Sequence, residues 1–225
     1  MTQSYQLIVF DWDGTLMDSV ARIVASMQNA FTDVTGTAPS VEAVKEIIGL
    51  SLDKAIATLA PHADAVVRGN ICDRYRHHFV DASEVPMALF PRVLTMLESL
   101  KQEGFMLAVA TGKARRGLDR VFADTGCGHL FNASRCADET ESKPHPRMLN
   151  ELMQELNVGP RHTLMVGDSE FDMLLANNAE VDALAVSYGV HSRKRLLQSQ
   201  PLACVDSVSQ LELWLTQLSS YTNTG

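Results

Sequence analysis

The hydrophobic positions of this chain fall into short continuous runs that alternate with longer amphipathic stretches. Runs of four or five apolar residues with β-branched members are typical of strands buried on both faces, as in a parallel sheet. The stretches between them have helical periodicity, so the pattern predicts an α/β fold: a doubly wound parallel sheet covered by helices on both faces. Strands are predicted at residues 5–10, from residue 106, near 131–134, at 163–166 and at 183–186.

One segment breaks this alternation, because residues 19 to about 82 have helical periodicity and contain no strand-like run. Glycine and proline divide it into four predicted helices, at residues 20–34, 41–48, 52–59 and 65–80. We therefore expect a small α-helical cap domain at residues 17–88, inserted into an α/β catalytic core of residues 1–16 and 89–225. The hinges of such a cap are expected near residues 17–19 and 85–90.

Composition adds three exclusions to this picture. The hydrophobic content of 46% supports a sizeable core, yet no apolar stretch reaches the roughly 18 residues of a membrane span. The polar start of the sequence lacks the features of a signal peptide, so we expect a cytoplasmic protein without a membrane partner. The net charge of −8 argues against nucleic acid as a partner. No pattern in the sequence predicts the oligomeric state.

The four cysteines are scattered along the chain without any C-x-x-C spacing. This spacing indicates neither a zinc site nor a disulfide framework. We expect buried free thiols at Cys72, Cys127, Cys136 and Cys204.

Two carboxylates, Asp11 and Asp13, directly follow the first predicted strand. The carboxyl ends of strands in an open α/β sheet are where ligands bind. Carboxylates this close repel each other and favour a bound cation such as Mg²⁺, which would keep one of them ionised as a nucleophile and leave the other free for proton transfer. An Asx turn before Gly14 is the alternative for this segment taken alone.

Polar residues follow other apolar runs in the same way. Thr111 and Gly112 end the run from residue 107, and Asp168 with Asp172 follows the run from residue 163, while Lys143 lies between them. If the runs are neighbouring strands, a hydroxyl, an ammonium and several carboxylates converge on one edge of the sheet.

Each of these residues also has a purely structural interpretation. Lys143 can be a solvated loop lysine, and Thr111 can cap a helix that begins near residue 114. Ser169 with Asp172 can form a capping arrangement at the start of a helix.

The order Asp-x-Asp-Gly-Thr, Thr-Gly, Lys-Pro and Gly-Asp-x-x-x-Asp resembles the haloacid dehalogenase superfamily, specifically its Mg²⁺-dependent phosphatases. The resemblance extends from residue 7 to about residue 186. Within the superfamily the chain is most similar to the phosphoglycolate phosphatase group, through residues 10–19 and the helical insert that directly follows them.

The resemblance implies a set of catalytic roles. Asp11 would attack the phosphorus of a phosphomonoester to give an aspartyl-phosphate, and Asp13 would act as general acid and base. Thr111, the backbone N–H of Gly112 and Lys143 would hold the phosphoryl oxygens.

It also implies a metal site and a substrate loop. Mg²⁺ would be ligated by Asp11, Asp168 and the backbone carbonyl of Asp13, with Asp172 either binding the metal through water or orienting Lys143. In the cap, the loop of residues 48–51 would reach over the substrate through Gly49 and Leu50. A glycine that only ends a helix is the alternative for Gly49.

The negative net charge opposes an anionic substrate at long range, so local cations are needed near the site. Lys113, Arg115 and Arg116 follow Thr111 closely enough to contribute. For the two arginines, an exposed helix start is the simpler interpretation.

The expected function is therefore Mg²⁺-dependent hydrolysis of a small phosphomonoester metabolite, phosphoglycolate-like or a sugar phosphate. Asp13 and Asp168 together argue against a dehalogenase. A tryptophan after the nucleophile, as at Trp12, also occurs in the phosphonoacetaldehyde hydrolases, but Asp13 argues against that group. Glu180 stands where the family usually has a glycine. It therefore either avoids a left-handed backbone conformation or adopts one with the steric strain of a non-glycine residue. A sugar-phosphate mutase shares the same residues and stays open as an alternative. Two non-enzymatic alternatives are a phospho-receiver-like domain and an inert binding module.

Overall fold

Six parallel strands form the central sheet of the protein, which the computed structural model describes over residues 5–220. Across this sheet the strands are ordered β5-β4-β1-β6-β7-β8, and a separate antiparallel pair is formed by β2 and β3. The strands are β1 (Leu7–Phe10), β2 (Met17–Asp18), β3 (Ala88–Leu89), β4 (Met106–Thr111), β5 (Ala133–Cys136), β6 (Thr163–Gly167), β7 (Asp182–Val186) and β8 (Ala203–Val205).

Strand β1 lies in the middle of the sheet, between β4 and β6. Its last residue, Phe10, is in register with Val109 on one side and Val166 on the other. Because all three strands run parallel, the residues that follow them meet at one edge of the sheet. This edge is where the sequence predicts the site.

Helices cover both faces of the sheet, and the alternation of side chains along β1 divides them into two cores. Ile8 and Phe10 point into one hydrophobic cluster, and Leu7 and Val9 into the other. The first cluster takes residues from α5 (Val93–Gln102), α6 (Arg115–Thr125) and α10 (Val208–Ser220). The second takes residues from α7 (Arg147–Leu156), α8 (Glu170–Asn178) and α9 (Arg193–Leu196). The predicted doubly wound α/β fold is thus confirmed.

The helical insert has a hydrophobic core of its own, which includes Met27, Phe31, Ile56 and Ile71. Hydroxyl and carboxylate side chains cap three of its helices: Ser40 accepts from Ala43 N–H, Ser51 from Lys54 N–H and Asp64 from Val67 N–H. The chain enters and leaves this segment at the β2–β3 pair. Its helices are α1 (Val20–Thr35), α2 (Val41–Lys45), α3 (Leu52–Leu59) and α4 (Ala65–Val80).

Several predicted bounds differ from the observed ones. Helix α2 ends at Lys45, so residues 46–51 form a loop rather than the end of a helix. Strand β5 begins at Ala133, two residues later than predicted, and β8 was not predicted because three residues at a sheet edge carry no periodic signal. Glu180 adopts a left-handed conformation with φ of 56°, so the second of its two alternatives, a strained backbone, is the one observed.

Two composition-based expectations can be compared with the described residues. All four cysteines are free and buried, as expected. Between residues 5 and 220, no helix combines the length and apolar character needed to cross a membrane.

Candidate active site

The nucleophile predicted at the end of β1, Asp11, is joined to a lysine from a distant loop. Its backbone N–H donates to Val166 O at 2.9 Å, which extends the β1–β6 ladder by one residue. Its carboxylate Oδ1 accepts from Lys143 Nζ at 2.7 Å. The same Nζ donates to Asp172 Oδ1 at 2.6 Å, and the Lys143 side chain is fully buried. The interpretation of Lys143 as a solvated loop lysine is therefore wrong.

The two carboxylate oxygens of Asp172 bind different partners. While Oδ1 binds Lys143, Oδ2 accepts from the backbone N–H of Ser169 at 3.0 Å and from its hydroxyl at 2.7 Å. The second set of contacts is a capping box that starts α8. The capping interpretation of this segment is correct, and the same residue also fixes the position of Lys143.

Asp168 is held by partners that sequence patterns did not indicate. Its Oδ1 accepts from Thr15 Oγ1 at 2.9 Å, and its Oδ2 accepts from Val190 N–H at 2.7 Å. Gly14 packs directly against this carboxylate, with φ of 81°; a Cβ there would lie 2.2 Å from Oδ2. Gly14 and Thr15 therefore hold the Asp168 carboxylate in position.

Asp11, Asp168 and Asp172 form a buried acidic cluster whose ligand atoms lie within 4.8 Å of one another. Three carboxylates and the Lys143 ammonium carry a formal charge of −2, which a divalent cation would neutralise. The donors are all oxygens, the ligands preferred by hard cations. The residues present thus fit a divalent metal ion.

The protonation of this cluster reflects its burial. Burial raises the pKa of Asp11 to about 7, although the charge of Lys143 opposes the rise. Burial and the neighbouring charge of Asp11 raise the pKa of Asp168 well above its ordinary value. Burial alone would lower the pKa of Lys143, but the carboxylates of Asp11 and Asp172 raise it, so the ammonium stays charged.

These shifts predict how stability depends on pH. The ordinary pKa of Asp11 is 3.8, so between pH 4 and 7 its folded carboxyl retains a proton that the unfolded chain releases. We expect the metal-free protein to lose stability as pH rises through this window, by at most about 1.4 kcal/mol per pH unit for each such group. Added Mg²⁺ should raise the melting temperature more at pH 8 than at pH 5, because at low pH it competes with protons.

Thermal unfolding at several pH values, with chelator and with Mg²⁺, measures this dependence. The comparison variant is Asp11→Asn, in which one of the titrating groups is absent and the slope should be shallower. A metal-free protein whose stability rises from pH 5 to pH 7 would contradict the protonation assigned to the cluster.

Asp13 faces away from the buried cluster and toward a cation. Both of its carboxylate oxygens accept from Lys113 Nζ at 2.8 Å, and Oδ1 also accepts from Ser19 Oγ at 2.6 Å. Lys113 Nζ in turn lies 4.9 Å from the centre of the Phe79 ring on α4. The carboxylate of Asp13 is not one of the three that could hold a metal. The metal role of the Asp13 backbone carbonyl stays a prediction.

A cavity of about 640 Å³ lies between the helical insert and this edge of the sheet. Of the predicted site residues, five line it: Asp11, Asp13, Gly49, Leu50 and Gly112.

The other predicted site residues are buried and are not among the residues that line the cavity. These are Thr111, Lys143, Asp168 and Asp172, each at most 1% exposed. Thr111 Oγ1 accepts from Lys113 N–H at 3.2 Å. The residue that caps α6 is Ala114, so the interpretation of Thr111 as a helix cap is wrong.

The loop of residues 48–51 lies directly against the core side of the site. A Cβ on Gly112 would lie 2.6 Å from Leu50 O, and a Cβ on Gly49 would lie 2.9 Å from Ser169 Oγ. Ser51 N–H donates to Ser142 Oγ at 2.9 Å. Gly49, with φ of 107°, lies four residues beyond the end of α2, so it is not a helix cap.

Comparison with known proteins places this arrangement in a family. The model of the haloacid dehalogenase-like hydrolases matches residues 8–186. The chain belongs to this family. The match covers the core strands through β7 and the whole helical insert, and it shows that the chain is a hydrolase of the family rather than a phospho-receiver domain.

Similar sequences include named phosphatases. A probable phosphatase, IndB, of Dickeya dadantii is 32% identical over 91% of this chain and 91% of its own length. A phosphoglycolate phosphatase of Vibrio cholerae is 30% identical over 93% of this chain and 96% of its own length.

Solved structures share the fold closely. A predicted phosphoglycolate phosphatase of Haemophilus somnus has a TM-score of 0.83 at 26% identity, covering 96% of this chain and 99% of that one. A protein of Bacteroides vulgatus assigned as a β-phosphoglucomutase has a TM-score of 0.85 at 20% identity, covering 97% and 90%. The second likeness shows the fold alone.

Proposed function

We propose that this protein is a Mg²⁺-dependent phosphatase that hydrolyses a small phosphomonoester metabolite, phosphoglycolate-like or a sugar phosphate, through an aspartyl-phosphate. One observation carries the proposal. Asp11 lies on the cavity wall with Oδ1 fixed by Lys143, while no residue between 5 and 220 donates to Oδ2. The named activities of the similar phosphatases support the same reaction.

Asp11 is the proposed nucleophile. Its Oδ2 would attack phosphorus in line with the ester oxygen, forming the new O–P bond as the ester O–P bond breaks. The ion pair with Lys143 holds the carboxylate in one orientation and favours its ionised form. Attack by a fixed carboxylate replaces one difficult displacement with two easier ones.

Asp13 is the proposed general acid and base. Its carboxylate lines the same cavity two residues beyond the nucleophile, on the side where Lys113 and Ser19 hold it. In the first step it would give a proton to the leaving ester oxygen. In the second it would take a proton from the water that attacks the aspartyl-phosphate.

Three groups would bind the transferring phosphoryl oxygens. Thr111 Oγ1 accepts one hydrogen bond from Lys113 N–H, so its hydroxyl hydrogen is available to donate. The backbone N–H of Gly112 and the ammonium of Lys143 complete the set. Such fixed donors stabilise the charge that redistributes in the transition state.

Mg²⁺ would be held by Asp11, Asp168 and the backbone carbonyl of Asp13. When bound, it supplies charge neutralisation for the carboxylates and polarises a phosphoryl oxygen. Asp172 Oδ1 accepts from the Lys143 ammonium at 2.6 Å, so we assign Asp172 to orienting Lys143.

We further propose that residues 17–88 act as a cap. Their separate hydrophobic core and the narrow β2–β3 junction suit a unit that moves as a body. Closure would exclude bulk water from the aspartyl-phosphate. The loop containing Gly49 and Leu50 would then lie over the substrate and contribute to specificity.

Phosphate release from a panel of phosphomonoesters, with a generic aryl phosphate included, tests the proposal. Each reaction is run with Mg²⁺ and with excess chelator, and release is expected only with metal. Metal removal should abolish turnover, because two of the proposed ligands are the nucleophile itself and a carboxylate beside it. The relative rates also rank the substrates.

The absence of release from every ester, with folded protein and metal present, would overturn the proposal. Phosphorus NMR of the sugar phosphates then separates the two remaining possibilities. A phosphate that moves between hydroxyls without being released indicates a mutase, and unchanged spectra indicate an inert binding module.

A further inference from the structure

The cavity beside Asp11 is larger than a two-carbon substrate requires. Its volume of about 640 Å³ lies well inside the range of roughly 300–1,000 Å³ for sites that enclose drug-sized ligands. Phosphoglycolate has a two-carbon skeleton and would leave most of this space to water. The cavity therefore has room for a longer leaving group.

The two walls of this cavity differ in character. The wall formed by the helical insert has an apolar part that includes Ile23, Met27 and Ile47, and it also carries the carboxylates of Asp53, Asp73 and Asp81. The opposite wall is helix α6, where Arg116 and Arg120 both line the cavity. Residues four apart lie on the same face of a helix, about 6 Å apart along its axis. Because α6 directly follows the Thr111–Lys113 loop, its basic face continues outward from the proposed phosphoryl site.

Arg116 and Arg120 have no hydrogen-bond or ion-pair partner among residues 5–220, and both are exposed. The other two arginines of the cavity wall are engaged: Arg22 donates to Val85 O at 2.7 Å, and Arg76 pairs with Asp73 at 2.9 Å. A free guanidinium that faces a cavity presents a planar set of donors matched to carboxylate and phosphate oxygens.

No carboxylate among residues 5–220 forms an ion pair with Arg116 or Arg120. Asp138 accepts from the backbone N–H of Arg115 at 2.8 Å. Asp124 lies one turn beyond Arg120 and makes no contact with it in the described structure. The negative charge of Asp124 repels an anion at that end of the helix. An anion is therefore favoured on the side of Arg120 that is nearer to Asp11.

We infer that Arg116 and Arg120 form a subsite for a second anionic group of the substrate. The preferred substrates are then phosphomonoesters whose leaving group is longer than two carbons and carries a carboxylate or a second phosphate at its far end. The inference rests on the proposed phosphatase function and specifies its substrate class.

A series of substrates tests this subsite. Phosphate esters of ω-hydroxy carboxylic acids with two to eight carbons are compared with their neutral methyl esters, and α,ω-bisphosphates form a second arm that distinguishes phosphate from carboxylate. The readout is the ratio of kcat/KM for the charged compound to that for its neutral partner. For chains longer than two carbons we expect a ratio of about five to ten, the effect of one favourable charge pair.

Two double variants separate the subsite from general charge effects. Arg116→Gln with Arg120→Gln should bring the ratio close to one at every chain length. Arg147→Gln with Lys194→Gln removes the same charge from other parts of the surface and should leave the ratio at its wild-type value. Neither Arg147 nor Lys194 lines the cavity.

The possible failures are distinguishable. If the wild-type protein hydrolyses neither this series nor the aryl phosphate, the proposed function fails. If it hydrolyses them with a ratio near one at all lengths, or if the Arg116 and Arg120 substitutions leave the ratio unchanged, the subsite is overturned while the phosphatase stands.

Discussion

Asp11→Asn is expected to lower metal-dependent phosphate release by roughly 10⁴-fold or more, because it removes the proposed nucleophile of the first step. The amide oxygen of asparagine can still accept from Lys143 Nζ, now 2.7 Å from Asp11 Oδ1. The change also removes one of three buried negative charges, which burial already disfavours. The melting temperature of the metal-free variant should therefore equal or exceed that of the wild type.

Asp124→Asn is the matched control, because it removes a carboxylate from the same cavity at an exposed position far along α6. With the aryl phosphate it should retain wild-type release. Acid quenching during turnover, followed by mass spectrometry, should find phosphate on the peptide that contains Asp11 in the wild type and none in Asp11→Asn. An Asp11→Asn protein with wild-type release would contradict the nucleophile assignment.

The location of the site was predictable because it follows from the sheet. Three apolar runs mark β1, β4 and β6, and parallel strands bring the residues after them to one edge. Asp11, Thr111 and Asp168 meet there for that reason. Lys143 lies on no strand. Its place in the chain between two of these runs indicated that it belongs near the same edge, and its role as a phosphoryl ligand came from the family resemblance.

The contacts within the site were not predictable, because they join residues far apart in sequence. Lys113 and Asp13 are 100 positions apart, and Thr15 and Asp168 are 153 apart. Neither Thr15 nor Lys113 differs in its local pattern from an ordinary turn or loop residue. Their roles depend on how loops cross above the sheet, which hydrophobic periodicity does not describe.

The capping box at Ser169 and Asp172 shows how a structural and a functional interpretation can both hold. The box uses Asp172 Oδ2, which leaves Oδ1 for Lys143. Starting α8 thus fixes the carboxylate that orients the lysine. A residue that caps a helix can therefore also contact a proposed catalytic residue, so a capping interpretation alone does not exclude a functional role.

Lys143→Met is expected to have the second large effect, on both stability and turnover. Methionine keeps most of the apolar stem but leaves the carboxylates of Asp11 and Asp172 buried without their shared ammonium. Breaking a buried ion pair by removing one partner costs about 3–5 kcal/mol, whereas exposed substitutions stay within about 0.5 kcal/mol. Urea unfolding of the metal-free protein measures this loss, with Lys194→Met as the exposed control.

Turnover separates a catalytic role of Lys143 from a structural one. Adding Asp172→Asn to Lys143→Met removes one of the two stranded charges, so the double variant should be destabilised by less than the sum of its single changes. It should regain no phosphatase activity, since the ammonium that would bind the phosphoryl oxygens is still missing. A folded double variant with wild-type turnover would reduce Lys143 to a structural counterion. A Lys143→Met protein as stable as Lys194→Met would show that the buried ion pairs contribute little.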